Sequence, residues 1–130
     1  MMVVLDTSSL IRFFTNDIPE KALRIKEILD KENKIYIPQV VFPELEYVLL
    51  GKTYRSDRKK VLLAFQFLIS RKNITVEREV SVAVSIYEKS KLDIADCIVV
   101  AYHQKGKLIS FDEELVKCVR KLSKKESPKR

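Results

Sequence analysis

An α/β domain, layered α/β/α around a short parallel sheet of about four to five strands, is predicted by two features of the sequence. Short β-branched and apolar runs at residues 2–5, 35–37, 74–76 and 108–109 alternate with longer stretches of helical periodicity, the pattern of parallel strands joined by crossover helices. Acidic residues recur just beyond those runs, at the strand ends where ligands of such sheets collect.

The run 2–5 stops at Asp6-Thr7-Ser8-Ser9, residues suited to leaving a strand and capping a helix, so a short helix over 10–14 follows. Asp17 and Glu20 stand at capping-box spacing around Pro19, opening a second helix to about Glu32 with Ala22, Ile25, Ile28 and Leu29 on one face. The strand at 35–37 leads through Pro38 into an apolar stretch that ends at Gly51, with Pro43 either in a first helical turn or at a kink. Helices are expected at 58–70 and 80–90 around the third strand. Residues 94–104 are apolar on nearly all sides, which predicts a buried helix. Gly106 ends it, 108–109 form a fourth strand, and Leu115, Cys118, Val119 and Leu122 give the last helix an apolar seam.

With 46% hydrophobic and 33% charged residues among 130, the composition fits one soluble domain over 1–122. No apolar run approaches the roughly 20 residues of a membrane span, and residues 1–5 meet Asp6 without a signal-peptide core, so a cytoplasmic address is expected. Cys97 and Cys118 lack C-x-x-C spacing and the chain has one histidine, which excludes zinc chemistry and predicts buried thiols. Residues 117–130 carry seven basic side chains against Glu126, a net +6 of the chain's +7. Their last part, 123–130, is expected to be a disordered basic tail. A second basic group comprises Lys52, Arg55, Arg58, Lys59 and Lys60 against Asp57. Such patches favour a polyanionic partner through counterion release, or are simply solvated faces.

Four acids carry the candidate chemistry. Asp6 follows the first strand, Glu44 lies on the helix after the second, Asp96 sits within the buried helix, and Asp112 follows the fourth strand by one turn. Asp96 among Ile94, Ala95, Cys97, Ile98 and Val99 needs compensation for desolvation, either a polar partner or a metal. Glu44 has Val40, Val41, Tyr47 and Val48 at helical spacing and so projects from an apolar face, with Glu46 a competing candidate. Asp6, Asp112 and above all Asp93 also suit helix N-caps. Clustered, these acids would repel by roughly 3 kcal/mol per pair at about 5 Å, and Mg²⁺ or Mn²⁺ is the natural compensation. His103 lies two turns beyond Asp96, too far along a helix to assist it directly. Thr7 and Ser110 could bind phosphate or water, or cap.

The same residues resemble the PIN-domain nucleases, and among them the VapC toxins of prokaryotic toxin–antitoxin pairs. Val3-Val4-Leu5-Asp6-Thr7-Ser8-Ser9-Leu10-Ile11 looks like the family's first motif and Ile37-Pro38-Gln39-Val40-Val41-Phe42-Pro43-Glu44-Leu45 its second. Asp93-Ile94-Ala95-Asp96-Cys97-Ile98-Val99 looks like its third, and Leu108-Ile109-Ser110-Phe111-Asp112 its fourth. The resemblance implies a PIN-like α/β/α fold with metal-binding, catalytic carboxylates at Asp6, Glu44, Asp96 and Asp112, and Asp93 as an accessory. It also implies Mg²⁺- or Mn²⁺-dependent endoribonuclease activity on RNA, a homodimer, and inhibition by a cognate antitoxin. Ser110 stands where the family often has Thr, and Cys97 where it has Ala; neither change removes a carboxylate.

Two other classes compete. A catalytically idle module of the same fold would bind RNA or protein and keep the acids as caps. A phosphoacceptor signalling domain also gathers acids at strand ends, but requires an Asp after a central strand, where Glu77 follows 74–76.

Overall fold

A computed structural model of the chain describes residues 1–126, with side chains through Lys124. Its elements run β1 (Val3–Val4), α1 (Thr7–Thr15), α2 (Pro19–Lys31), β2 (Ile35–Tyr36), α3 (Val41–Leu50), α4 (Arg58–Ser70), β3 (Ile74–Thr75), α5 (Arg78–Lys89), α6 (Ile94–Ala101), a 3-10 turn (Tyr102–Gln104) and α7 (Glu113–Glu126). The sheet has the order β1-β2-β3 with both pairings parallel, placing Val3 opposite Ile35 and Ile35 opposite Ile74.

Three strands form among the described residues, fewer than the four to five expected. The missing one is the run 108–109, which has no strand pairing. It offers only two apolar residues between Lys107 and Ser110, and Ile109 is 72% exposed, so nothing rewards extending it beside β1. The last helix continues through Glu126. Residues 123–126 are therefore helical where a disordered tail was expected, and 127–130 lie outside the described residues.

Local chemistry accounts for the helix ends. Asp6 caps α1 by accepting the Ser9 N–H at 2.9 Å, and Asn16 ends it in the left-handed region with φ 52°. Asp57 caps α4 through the Lys60 N–H at 2.9 Å. Pro43 is the third residue of α3, inside the first turn where its missing N–H has no intrahelical partner to lose. Gly51 ends that helix at an ordinary φ of −70°; a Cβ there would stand 3.2 Å from the Tyr47 carbonyl oxygen, a tight contact that a shift of a few tenths of an ångström would relieve.

The cap expected of Asp17 is not made. Ile18 occupies the N-cap position of α2 without a side-chain bond, and Pro19 supplies the start signal instead. Asp17 pairs with Arg12 and accepts the Tyr54 hydroxyl at 2.6 Å, tying α1 to the loop after α3. The Tyr54 hydroxyl and then Arg12 hold its carboxyl at about 2, against an ordinary 3.8. A depressed value means the charged form is favoured by folding, so this stabilisation is present above about pH 4 and is lost as pH falls toward 2. Asp17→Asn should therefore lower the thermal midpoint at pH 7, with the gap to wild type closing between about pH 4 and 2; a gap independent of pH would contradict this.

The core gathers the inner faces of all the helices against the sheet. Phe42, Phe65 and Tyr87 form an aromatic chain through α3, α4 and α5, with successive ring centroids 5.4 Å apart. Cys97 is buried and Cys118 half-buried, both reduced; burial pushes the Cys97 thiol up to about 12, which makes it unreactive. Among the described residues no helix is long and apolar enough to cross a membrane.

Candidate functional site

Of the candidate acids, all but Glu46 sit at the start of a helix. Asp6 is the N-cap of α1, Glu44 lies in the first turn of α3, Asp93 caps α6 with Asp96 in its first turn, and Asp112 precedes α7. Helix N-termini favour negative charge, so each carboxylate is held where the backbone stabilises it.

Two subgroups form. In the first, the Thr7 hydroxyl donates to Glu44 Oε1 at 2.6 Å, joining the exits of β1 and β2. The adjacent Asp6 Oδ1 accepts from the Ser9 N–H and from the Ser8 and Ser9 hydroxyls. The Ser9 amide, then the Ser8 hydroxyl, keep the Asp6 carboxyl below its ordinary value.

In the second, Asp93 accepts the Asp96 N–H at 2.8 Å. Asp112 Oδ1 accepts the N–H groups of Glu114 and Leu115, while its own N–H donates to Ser110 Oγ at 3.0 Å. Asp96 is half-buried and makes no ion pair among the described residues. Burial first, and then the charges of Asp93 and Asp112, raise its carboxyl above the ordinary range. Ser110 thus acts within the turn before α7, as a capping residue does.

Among the described residues no three of these acids stand close enough together to enclose an ion. Their chemistry nonetheless fits a hard divalent cation. The donors are carboxylate and hydroxyl oxygens, and Mg²⁺ commonly takes one or two carboxylates and keeps several waters, completing its shell with substrate phosphate.

A sequence profile of the PIN domain matches residues 3–121, a span that takes in both subgroups. The chain belongs to the PIN domain family. No curated protein and no solved structure gives a significant match. Membership makes this PIN domain nuclease-like at a coarse level.

Two residues of α3 and α4 differ from their expected roles. Glu44 shares its face with apolar Val40 and Tyr47 as expected, but that face is open to solvent: Glu44 is exposed, as are both neighbours, Tyr47 at 82%. Glu46 is the buried acid of α3, at 8%, and accepts the Ile94 N–H at 3.3 Å, fixing the start of α6. With burial, it also raises the Tyr87 phenol. Arg58 does not join the exposed basic group. Its guanidinium stacks 3.6 Å from the Tyr87 ring centre and donates to the carbonyls of Tyr87, Ser90 and Leu92 at 2.9, 3.1 and 2.6 Å. It closes the end of α5 onto the loop that delivers Asp93 and Asp96.

A polar network at the other side of α3 was invisible in the sequence. Glu77 accepts from the Tyr36 hydroxyl and from Gln39 Nε2, which also donates to the Tyr102 hydroxyl at 3.3 Å. These residues are far apart along the chain: the parallel pairing of β2 and β3 brings Tyr36 and Gln39 to Glu77, and the 3-10 turn after α6 adds Tyr102.

Proposed function

We propose that this PIN domain is a metal-dependent endoribonuclease that hydrolyses phosphodiester bonds in RNA, acting as the toxin of a VapBC-type pair with a cognate antitoxin and assembling as a homodimer. The toxin, antitoxin and homodimer parts rest on the four-motif resemblance. The observation that carries the nuclease reading is that burial, and then the charges of Asp93 and Asp112, disfavour an Asp96 carboxylate that has no ion pair among the described residues. Like charges held together at a cost to the fold call for a cation in function.

In this reading Asp96 and Asp112, with Asp6 and Glu44, hold Mg²⁺ or Mn²⁺. A bound cation would supply charge neutralisation at the phosphate and a water made acidic enough to attack. The chain's own contribution is positional. The Ser9 amide and two serine hydroxyls fix the Asp6 carboxylate, Thr7 orients Glu44, and the α7 amides fix Asp112. With His103 in the 3-10 turn beyond α6, the carboxylates are the groups available to accept a proton from water.

One set of bonds favours a second reading, an idle RNA- or protein-binding module: Asp6, Asp93 and Asp112 are all engaged as helix caps. The thermal midpoint in Mg²⁺ separates the two. A cation binding only the folded state at ten times its Kd contributes about 1.4 kcal/mol, or about 5 °C. A midpoint rising with Mg²⁺ and insensitive to matched Na⁺ supports the nuclease; no rise with Mg²⁺ or Mn²⁺ supports the idle module.

A further inference from the structure

Phe111 is fully exposed, at 101%, one residue before Asp112. Its ring is free to stack with a ligand that comes to Asp112. It borders a cavity of 330 Å³ whose other walls are Ser110, Glu113, Val116, Lys117 and Arg120. Residues 113, 116, 117 and 120 share one face of α7, since they are spaced by three and four. Against Glu113, the two cations leave this face with net positive charge, and neither forms an ion pair among the described residues.

A depression of mixed polar and apolar lining, 330 Å³ in volume, with an exposed aromatic ring at its border and two cations in its wall, matches one nucleotide: a flat base for the ring and a phosphate for the cations. We propose that this cavity is a nucleotide subsite in which an unpaired RNA base stacks on Phe111 while an adjoining phosphate lies between Lys117 and Arg120. This rests on the ribonuclease reading and makes Phe111 a positioning residue. Because Asp112 lies between two lining residues, a base held here fixes which phosphate comes before Asp96 and Asp112. Every base has a π-face, so the subsite selects for an unpaired nucleotide rather than for a particular letter. A base still stacked within a duplex cannot present that face.

The chain has no tryptophan, so Phe111→Trp installs a single indole at the subsite, excited selectively at wavelengths where tyrosine does not absorb. Its full exposure predicts that neither Phe111→Trp nor Phe111→Ala moves the unfolding midpoint. With EDTA present to prevent cutting, single-stranded RNA of mixed sequence should quench the indole saturably, whereas the same sequence as a duplex and an abasic strand should not. Under cleaving conditions Phe111→Ala should raise KM by about ten- to a hundred-fold with kcat nearly unchanged, and Lys117→Ala with Arg120→Ala should flatten the salt dependence of binding.

Binding of labelled RNA, followed by anisotropy, keeps the two claims apart. Saturable quenching without any cleavage would sink the nuclease reading and leave the subsite standing. Cleavage by wild type, with no quenching in the Trp variant and an unchanged KM in the Ala variant, would overturn the subsite alone. Quenching by the abasic strand to the same extent would overturn the stacking contact. Conversion of a dimer to a monomer by Phe111→Ala, with RNA affinity intact, would overturn it in favour of a second copy of the chain.

Discussion

Asp96→Asn is expected to abolish RNA cleavage while raising the stability of the metal-free protein. If Asp96 helps hold a cation worth several kcal/mol to the developing charge, its loss lowers kcat by about 10³-fold or more. The stability change has the opposite sign. Burial and the charges of Asp93 and Asp112 disfavour the Asp96 carboxylate, so above its raised pKa the folded state bears a repulsion that the unfolded chain does not. For a half-buried group, solvent screening reduces this to about 0.5 kcal/mol, a gain on the order of 2 °C in the midpoint. As pH falls through the raised value the folded state takes up the proton preferentially, and the advantage of the variant disappears. A variant as active as wild type, or one destabilised without metal at pH 7, would remove Asp96 from the site. Midpoints measured from pH 3 to 8 in EDTA, beside cleavage rates in Mg²⁺, read both effects.

The largest loss of stability is expected at Arg58→Met. The substitution keeps some packing over Tyr87 but removes the donor to three carbonyls and the cation stacked on the ring. Leaving part-buried acceptors without their charged donor costs about 3 kcal/mol, which lowers the midpoint by about 10–15 °C in a chain of this length. Metal response should weaken too, because residues 90–92 lead directly into the Asp93 cap. A fall below about 3 °C would mean that water replaces the guanidinium at little cost.

These two residues mark the boundary of what the sequence revealed. Helix α4 was legible to the residue, because Asp57 is an effective cap and the apolar face of Val61, Ala64, Phe65 and Leu68 repeats at helical spacing. The same reading counted Arg58 with the solvated basic group, since a run of cations records charge and not direction. At Glu44 and Glu46 the helical neighbours were known, but periodicity does not say which face the sheet covers. Val40 and Tyr47 do flank Glu44, but on the side of α3 that stays exposed, while Glu46 faces inward. The strand expected at 108–109 failed for a related reason: two apolar residues satisfy a strand pattern, while pairing needs a partner edge that the pattern does not contain. Asp6, Asp93 and Asp112 were legible as caps, and the structure makes all three bonds. What neither spacing nor capping could convey is the division into two subgroups, one joining the starts of α1 and α3 through Thr7 and Glu44, the other the starts of α6 and α7.

The measurement that bears most directly on the central claim is cleavage of a mixed pool of structured RNAs by the purified wild-type chain in Mg²⁺, Mn²⁺ or EDTA. Cutting that requires the divalent ion and stops in EDTA is the predicted result; RNA bound but left intact under all three conditions would contradict it.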